Sequence, residues 1–233
     1  MDYSVVVPVY DERDNLEILL RSLTEVMDSF GKEYEIICVD DGSRDGSDEV
    51  LRALKRKYSQ LRVMEFEINC GLTGALDAGF SMAKGDVVIS IDADMQNDPR
   101  DIPKLLEHIG DYDVVCGVRS GRHDSWLRIV SSRIANYVRN RFTGENITDV
   151  GCTLRAYKKK FLLRLKLFDG MHRFLPTLLK MEGAKVVEVE VAHHPRLYGK
   201  TKYGVWNRVF KSFIDLLAVV WMQKRKLDYR IKE

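Results

Sequence analysis

The sequence predicts an α/β fold: one domain with a mostly parallel central sheet, helices on both faces of that sheet, and a C-terminal amphipathic helix. Short runs of β-branched and other apolar residues alternate with longer stretches whose apolar residues have helical spacing. That alternation requires crossover connections, which produce parallel strands covered on both faces. No linker or repeat divides the 233 residues, and at 45% hydrophobic they can fill one sizeable core.

The predicted elements alternate regularly in the first half of the chain. The predicted strands are residues 4–9, 35–39, 61–66, 87–91 and 114–117. The predicted helices are residues 13–30, 45–58 and 71–84, with a fourth helix after Pro99. Apolar residues three or four positions apart define each helix, and a glycine follows the first and third of them.

The second half is less regular. We predict a basic amphipathic helix over residues 126–142, a loop that enters a strand over 151–157, and helices at 161–168 and 174–182. A strand over 186–192, a basic loop over 196–203 and a helix over 205–221 complete the chain. We therefore divide the chain into a domain of residues 1–203 and a C-terminal amphipathic helix with a basic tail, residues 204–233.

The net charge is only +2, but the basic residues are concentrated in two zones. Residues 119–141 contain six arginines and one acid, and residues 196–233 contain ten Lys or Arg and three acids. Such zones on a nearly neutral chain indicate a localised anionic partner and not nucleic acid. The N-terminus lacks a signal-peptide pattern and no apolar run approaches the roughly 20 residues of a membrane span, so we expect a cytoplasmic location.

Two carboxylates directly follow the fourth predicted strand. These are Asp92 and Asp94, with Gln96 two positions further on. In sheets of this type ligands bind at the carboxyl ends of the strands, and two bare carboxylates buried there would repel each other. Hard oxygen ligands suit Mg²⁺ or Mn²⁺, which would bridge to a substrate diphosphate. The sequence therefore predicts a divalent metal site of Asp92, Asp94 and Gln96.

Polar residues also follow the second predicted strand. A carboxylate at Asp40 or Asp41 can accept hydrogen bonds from a base or a ribose, and Gly42 permits a close turn. An alternative for Ser43 is the cap of the following helix. The motifs of dinucleotide-binding oxidoreductases and of Walker-type phosphate loops are absent from the sequence.

Three motifs together resemble the family 2 inverting glycosyltransferases of GT-A type: residues 8–12 (PVYDE), 39–43 (VDDGS) and 92–96 (DADMQ). Residues 117–119, 124–126, 149–157 and the basic loop 196–203 further resemble the polyprenyl-phosphate glycosyltransferases, the group that includes dolichol-phosphate mannose synthase and the bacterial undecaprenyl-phosphate sugar transferases. The resemblance extends over roughly residues 4–204 and makes residues 1–203 the catalytic domain.

The resemblance implies a role for individual residues. The nucleotide-sugar-binding set, to which Asp40 and Gly42 belong by position, is Pro8, Tyr10, Glu12, Asp40, Asp41, Gly42, Asp92, Arg196 and Lys202. The catalytic candidates are Asp94, Arg119 and Arg133, the two arginines as ligands of an acceptor phosphate. The implied donor is a UDP- or GDP-sugar, and the implied acceptor is a polyprenyl phosphate.

The residues themselves favour a phosphate acceptor. A sugar hydroxyl needs a positioned general base, whereas a phosphate monoester has a second pKa of about 6 and is already anionic near neutrality. The hydroxyl-using relatives have a Glu-Asp base motif, and no Glu-Asp dipeptide occurs in this sequence. Two alternatives remain at this stage: transfer to a hydroxyl with Glu182 or Asp149 as the base, and a non-catalytic subunit that binds nucleotide sugars.

The predicted C-terminal helix has an apolar stripe between Val205 and Trp221, with tryptophans at both ends and the cluster Lys224-Arg225-Lys226 after it. That pattern is typical of a helix lying in a membrane interface. A helix packed in the core, or one that forms a dimer, is the alternative. We therefore expect a peripheral membrane protein, with a membrane-anchoring subunit or a homo-oligomer as a further partner.

Overall fold

The computed structural model describes residues 1–120, 126–196 and 205–226, with the side chains of residues 126–133 and 205–210 left out of the description. Seven strands and eight α-helices occur in these residues. The strands are β1 (Tyr3–Val9), β2 (Tyr34–Asp40), β3 (Leu61–Glu65), β4 (Val87–Ser90), β5 (Val114–Arg119), β6 (Arg155–Lys158) and β7 (Val186–Val191). The helices are α1 (Arg13–Asp28), α2 (Ser47–Lys57), α3 (Gly71–Met82), α4 (Ile102–His108), α5 (Trp126–Thr143), α6 (Lys159–Leu162), α7 (Leu175–Met181) and α8 (Val205–Arg225).

All seven strands form one sheet in the order β3-β2-β1-β4-β6-β5-β7. Every pairing is parallel except those of β6, which runs antiparallel to both β4 and β5. The predicted mostly parallel sheet is therefore confirmed. The reversal of β6 has a consequence for the site, because β6 begins at the edge where the other strands end.

The core lies on both faces of the sheet, because the central strands carry apolar side chains on each face. On one face, α1 packs its fully buried leucines against β1 and β2. On the other face, α3 covers Val6, Ile37 and Val39 of β1 and β2, and α6 and α7 pack in the same core cluster against β6 and β5. Gly79 of α3 lets that helix approach closely, since a Cβ there would lie 2.3 Å from Val6. This two-sided burial explains why the strands have continuous apolar runs and not an alternating pattern.

One predicted helix is wrong in extent. The sequence predicts a helix over residues 161–168, but α6 ends at Leu162. Leu165 and Leu167 instead pack from an irregular segment against two core clusters. These leucines have the spacing of a helix in the sequence, but they are partly buried by packing against the core although the segment is not helical.

The C-terminal helix α8 packs against the domain through one side. Leu216 and Val219 are buried against Met171, Phe174 and Leu178. The neighbouring Phe213, Ile214, Leu217 and Trp221 are 46–63% exposed. Among the described residues, no helix combines the length and the apolar content needed to cross a membrane.

Candidate active site at the sheet edge

The candidate site lies at one edge of the sheet, which we call the rim. The parallel strands all end there, and the antiparallel β6 begins there. The rim contains Tyr10–Glu12 after β1, Asp40 and Asp41 at the end of β2, Asp92–Gln96 after β4, Arg119 at the end of β5, Thr153 before β6 and Arg196 after β7. The motifs that are far apart in the sequence are therefore brought to one edge, as the alternating pattern predicts.

The loop after β4 holds Asp92 and Asp94 in a tight turn. Met95 has a positive φ of 60°, and the backbone N–H of Gln96 donates to the Asp94 carboxylate at 3.1 Å. The carbonyl of Gln96 accepts the N–H of His194 at 2.9 Å, which joins this loop to the segment after β7. A non-glycine residue in the left-handed region costs roughly 1 kcal/mol or more, so the surrounding contacts must hold this turn in place.

Arg196 connects the loops after β1, β4 and β7. Its Nη2 lies 2.7 Å from Oδ2 of Asp94, and its Nη1 lies 3.4 Å from Oε1 of Glu12. Both carboxylates are nearly buried, with side chains 8–11% exposed, whereas the arginine side chain is 26% exposed. The sequence-predicted Glu12, Asp94 and Arg196 thus form one charged cluster.

Asp92 is held in an electrostatically unfavourable position. Burial and the nearby charge of Asp94 raise the pKa of Asp92 to about 7, although the Thr153 hydroxyl, Arg119 and Arg196 act in the opposite direction. The rim thus holds two carboxylates two residues apart, with arginines as their cationic neighbours.

The carboxylate that follows β2 forms hydrogen bonds with the start of α3. The carboxylate of Asp41 accepts hydrogen bonds from the backbone N–H groups of Cys70 (2.6 Å) and Gly71 (2.9 Å) and from the Asn69 side chain (3.0 Å). Asp41 therefore caps the N-terminus of α3. Burial raises the pKa of both Asp40 and Asp41.

Gly42 and Ser43 complete this loop. Gly42 has a φ of +71°, and a Cβ on it would lie 2.9 Å from the backbone of Ile68 and Asn69, so only glycine fits without displacement. The Ser43 hydroxyl donates a short hydrogen bond to Asp40 and accepts the N–H of Asp11 at 2.9 Å. Ser43 therefore joins the first two strand ends. The N-cap of α2 is Gly46, with no side-chain cap, so the alternative that Ser43 caps α2 is wrong.

The loop after β1 adds Tyr10 and Glu12 to the rim, next to the partly buried Pro8. The N–H of Glu12 donates to the Ser47 hydroxyl at 3.0 Å, and its carboxylate accepts the Asn15 amide at 2.7 Å. These contacts orient the Glu12 carboxylate that Arg196 reaches. The loop after β1 therefore lies on the side of the rim that also carries the end of β2.

Arg119 lies at the end of β5 and is paired with Asp149. The guanidinium donates from Nε at 2.7 Å and from Nη2 at 2.8 Å to the two oxygens of this carboxylate. The other predicted acceptor-phosphate ligand, Arg133, lies on α5, but its side chain is outside the described part of the chain. Lys202 also lies outside the described residues.

Sequence reasoning missed two residues near the metal motif. The Thr153 hydroxyl lies beside Asp92 and acts to lower its pKa, and Asn97 donates to the same hydroxyl at 3.2 Å. The motif at residues 149–157 is visible in the sequence, but nothing in it shows that the following strand is antiparallel. That reversal places Thr153 at the rim.

Glu182, a base candidate for a hydroxyl acceptor, does not belong to the rim. It follows α7 and precedes β7, whose first residue Val186 pairs with Val114 at the start of β5. Glu182 therefore lies toward the opposite edge of the sheet. Asp149, the second base candidate, is 5% exposed and its two oxygens are engaged by Arg119.

Several known proteins are similar in sequence. An undecaprenyl-phosphate 4-deoxy-4-formamido-L-arabinose transferase of Edwardsiella ictaluri is 42% identical over 208 residues, which cover 88% of this chain and 64% of the relative. A dodecaprenyl-phosphate galacturonate synthase of Rhizobium johnstonii is 35% identical, and the match covers 97% of this chain and 68% of that protein. The chain thus spans about two thirds of the length of these relatives.

A solved structure shares the fold. Glucosyl-3-phosphoglycerate synthase from Mycobacterium tuberculosis, in a complex with Mn²⁺, UDP and phosphoglyceric acid, superposes with a TM-score of 0.71 at 17% identity, over 97% of this chain and 80% of that one. This confirms the predicted GT-A-type fold.

The family model for glycosyl transferase family 2 matches residues 4–165, a segment that contains β1 to β6 and most of the rim. Its extent agrees with the three strand-end motifs on which the resemblance was based. The chain belongs to glycosyl transferase family 2.

Proposed function

We propose that the protein transfers a sugar from a nucleoside diphosphate sugar to a polyprenyl phosphate, with inversion at the anomeric carbon and with a requirement for Mg²⁺ or Mn²⁺. The observation that carries the proposal is the rim, where the carboxylates of Asp92 and Asp94 stand beside the guanidinium groups of Arg119 and Arg196. The names of the two sequence relatives, which act on undecaprenyl and dodecaprenyl phosphate, support the acceptor class.

The residues present fit a divalent cation that is shared with the substrate. Within the described part of the chain, no group of three or more His, Cys, Asp or Glu side chains could hold a metal ion. Two carboxylates are nevertheless what Mg²⁺ commonly takes from a protein when substrate phosphates complete its coordination. Asp92 and Asp94, with the amide of Gln96, would hold the cation. When bound, it would neutralise charge on the departing diphosphate.

The donor nucleotide would lie along the rim from β2 to β4. Asp40 and Gly42 are at the β2 end of this region, and Pro8, Tyr10 and Glu12 lie between them and the metal motif after β4. Asp41 contributes to this region indirectly, because its carboxylate accepts backbone N–H groups at the start of α3 and so holds that helix in place. Arg196 and Lys202 would bind the phosphates of a UDP- or GDP-sugar, for which guanidinium and ammonium groups are well suited.

The acceptor would approach from the side of Arg119 and Arg133. An acceptor phosphate oxygen forms the new bond to the anomeric carbon as the bond from that carbon to the diphosphate breaks, and the nucleoside diphosphate leaves with the electron pair. The phosphate is already anionic near neutrality, so no base has to remove a proton. The chain's contribution is to hold the phosphate with cations in line with the departing group.

The structure disfavours the two alternatives. Transfer to a hydroxyl needs a base, but Glu182 lies toward the opposite sheet edge and Asp149 is engaged by Arg119. A non-catalytic subunit would not need two neighbouring carboxylates at this position, because the charge of Asp94 disfavours the ionised form of Asp92. Neither alternative therefore gains support from a described residue.

We also propose that the protein lies on the cytoplasmic face of the membrane. The exposed side of α8 presents Phe213, Leu217 and Trp221, and the cations Lys224 and Arg225 follow on the same helix. Apolar side chains next to cations suit the surface of an anionic bilayer, where the acceptor is located. Self-association through this surface, or a separate anchoring subunit, is the alternative partner.

A transfer assay tests the function. Purified protein is mixed with Mn²⁺ or Mg²⁺, liposomes containing undecaprenyl or dodecaprenyl phosphate, and a panel of radiolabelled UDP- and GDP-sugars. We expect metal-dependent label in the lipid phase, and at least about a 100-fold loss in Asp94→Asn, comparable with the loss of a major transition-state contact. Label that reaches only a glycan hydroxyl would overturn the proposal.

A further inference from the structure

The pair Arg119–Asp149 is tightly constrained by hydrogen bonds at the rim. Besides the two guanidinium contacts, the Asp149 carboxylate accepts the backbone N–H of Arg119 at 3.2 Å and that of Gly151 at 3.1 Å. One carboxylate therefore fixes both the main chain and the side chain of the last residue of β5. The pair is also well buried, with side chains 17% and 6% exposed.

A second observation shows that space is reserved for the guanidinium. A Cβ on Gly151 would lie 2.6 Å from Nη2 of Arg119. No positive φ requires glycine at this position, so the close approach of the arginine is the constraint. Any larger residue at position 151 would displace the guanidinium.

The position of Asp149 is itself fixed from the neighbouring strand. Glu188 of β7 accepts the backbone N–H groups of Thr148 at 2.9 Å and of Asp149 at 3.2 Å. The segment that carries Asp149 is thus attached to the edge strand of the sheet. Arg119 is therefore held through two layers of contacts, from β7 to Asp149 and from Asp149 to the guanidinium.

This arrangement leaves Arg119 suited to a phosphate. A guanidinium is a rigid plane of N–H donors, and the contacts of Nε and Nη2 with the two oxygens of Asp149 fix the orientation of that plane. An arginine side chain has about 2 kcal/mol of rotamer entropy, and a held side chain has lost much of it before a ligand arrives. Preorganised cations of this kind contribute more to binding than mobile ones.

We propose that Asp149 is a positioning residue: it presents Arg119 to the phosphate of the acceptor and does not act as a general base. The inference rests on the proposed function. A base would need an oxygen that can take up a proton from the acceptor, and both Asp149 oxygens already accept hydrogen bonds from the guanidinium. The carboxylate acts on the reaction only through Arg119.

The test uses Asp149→Asn and Gly151→Ala in the full chain. The first removes the charge of the partner, and the second leaves Asp149 in place but displaces the guanidinium. We expect both to raise the KM for polyprenyl phosphate about 10- to 100-fold, the range found when an outer contact of a functional group is lost. The Kd for UDP-sugar with Mn²⁺, measured by calorimetry without turnover, should change less than about twofold.

Glu35→Gln is the matched control. Glu35 is another buried carboxylate paired with an arginine, Arg62 at 2.5 Å, but it lies at the start of β2, toward the opposite edge of the sheet. The control variant should lose stability and keep the wild-type acceptor KM. An equal rise in acceptor KM in this control would show that general loosening of the fold, and not the position of Arg119, is being measured.

Two further measurements separate positioning from base catalysis. In an Arg119→Lys background, Asp149→Asn should add little further loss, because the arginine it positions is already gone. The pH profile of kcat/KM should keep its acid limb in Asp149→Asn, since that limb belongs to the acceptor phosphate, whose pKa is about 6. Loss of the limb would identify Asp149 as a base and overturn the inference.

The failures of the inference and of the proposed function are distinguishable. If the wild-type protein labels polyprenyl phosphate but both variants keep its acceptor KM, only the role of Asp149 is wrong. If the wild-type protein labels only a hydroxyl acceptor, the proposed function and the inference are both wrong. In that case the pH profile of Asp149→Asn shows whether this carboxylate is the base.

Discussion

At the scale of single residues, the rim contains a side chain for which two partners compete. Asp94 pairs with Arg196, yet it is also the proposed ligand of a divalent cation. Asp11 and Met95 have positive φ values of 49° and 60°, which are unusual for residues with side chains. Strain of this kind is typical of functional loops that are held by their surroundings.

Arg196→Gln should change metal and nucleotide affinity in opposite directions. The Arg196 guanidinium lies 2.7 Å from Asp94, so a cation that binds alone must displace it. The variant should therefore bind Mn²⁺ about three- to tenfold more tightly without nucleotide, which is roughly 0.6–1.4 kcal/mol. It should bind UDP-sugar more weakly, because a phosphate ligand is lost. Electron paramagnetic resonance titration of Mn²⁺ and calorimetry with UDP-sugar measure the two effects.

The matched control is Arg100→Gln, which removes an exposed arginine that pairs with Asp98 at 2.8 Å near the same loop. It should leave both affinities unchanged. Weaker Mn²⁺ binding by the Arg196 variant in the absence of nucleotide would contradict competition between the arginine and the cation.

Gly42→Ala should damage the loop after β2. Its φ of +71° disfavours alanine by roughly 1–2 kcal/mol, and the new Cβ would meet the backbone at Ile68 and Asn69. Because that backbone adjoins the start of α3, UDP-sugar affinity should fall about tenfold or more, as measured by calorimetry.

Gly31→Ala is the control for Gly42→Ala. Gly31 has a φ of +59°, but among the described residues, apart from its two chain neighbours, no atom lies within 4 Å of the position that a Cβ would take. It therefore isolates the backbone strain from the steric contact. Thermal unfolding should show a smaller loss of stability for Gly31→Ala than for Gly42→Ala. Equal losses would mean that the contact with Ile68 and Asn69 is accommodated without cost.

At the scale of the elements, α8 has one side buried against the domain and one side exposed to solvent. Its buried side is attached to the domain by Leu216 and Val219, by the Ser212 hydroxyl that accepts from Arg173 at 2.5 Å, and by Gln223, which donates to a backbone carbonyl at the end of α5 at 3.2 Å. Its other side exposes large apolar residues to solvent. The helix therefore packs as part of the fold and still has a surface to offer to a membrane.

Leu216→Ala and Leu217→Ala separate these two sides with the same chemical change. Leu216 is 5% exposed and Leu217 is 46% exposed. Leu216→Ala should lower the free energy of unfolding by about 2–5 kcal/mol, as large-to-small core substitutions do. Leu217→Ala should change it by less than about 0.5 kcal/mol. Urea unfolding of the two variants beside the wild type measures both values.

Binding to vesicles should give the opposite ranking. Flotation with vesicles of phosphatidylglycerol and phosphatidylcholine should show weaker binding by Leu217→Ala than by the wild type, because buried apolar area drives attachment to the interface. An unchanged flotation combined with a loss of self-association would instead assign the exposed side of α8 to contact between copies of the chain.

At the scale of the whole molecule, the two edges of the sheet differ in how their charged residues are arranged. The edge opposite the rim contains a satisfied buried network. The Glu35 carboxylate accepts hydrogen bonds from the Ser4 hydroxyl (2.7 Å), the backbone N–H of Lys84 (2.6 Å) and Arg62 (2.5 Å). This network links β1, β2, β3 and the end of α3. The rim, by contrast, holds the neighbouring carboxylates of Asp92 and Asp94, and burial together with the charge of Asp94 raises the pKa of Asp92.

Because of Glu35, the free energy of unfolding should depend on pH in the acid range. Burial acts to raise the pKa of Glu35, but the hydrogen bonds from Arg62, Ser4 and Lys84 outweigh it, and the net pKa lies below the ordinary 4.5. A depressed folded-state pKa means that the stabilisation is fully present above the unfolded-state pKa and is lost as the pH falls through the folded-state value. Glu35→Gln should cost about 1.5–3 kcal/mol near neutral pH, the worth of hydrogen bonds to a charged group.

Urea unfolding of wild type and Glu35→Gln over a series of pH values measures this linkage. The difference in unfolding free energy should be constant near neutrality and shrink below about pH 4.5. Glu33→Gln, at a side chain that is 78% exposed, is the control and should show little difference at any pH. A difference for Glu35→Gln that does not depend on pH would contradict the role of its charge.

Local sequence patterns were sufficient to predict the fold class, the order of the elements in the first half of the chain, and the metal motif. These features depend on periodicity and on motifs at strand ends, and right-handed crossovers place such ends at one edge. Glu12, Asp40, Asp92 and Arg119 could therefore be assigned to one edge from their positions after strands, and Arg196 was added through the family resemblance. In the structure these five residues lie along the same rim.

How those residues are held depends on the tertiary structure. The antiparallel insertion of β6 between β4 and β5 brings Asp149, Gly151 and Thr153 to the rim, and it turns a base candidate into the partner of Arg119. Packing between distant segments also ends α6 early and divides α8 into a buried and an exposed side. Strand direction and helix packing depend on contacts between residues distant in the chain, whose free energies compete across the whole molecule, and local sequence patterns do not contain that information.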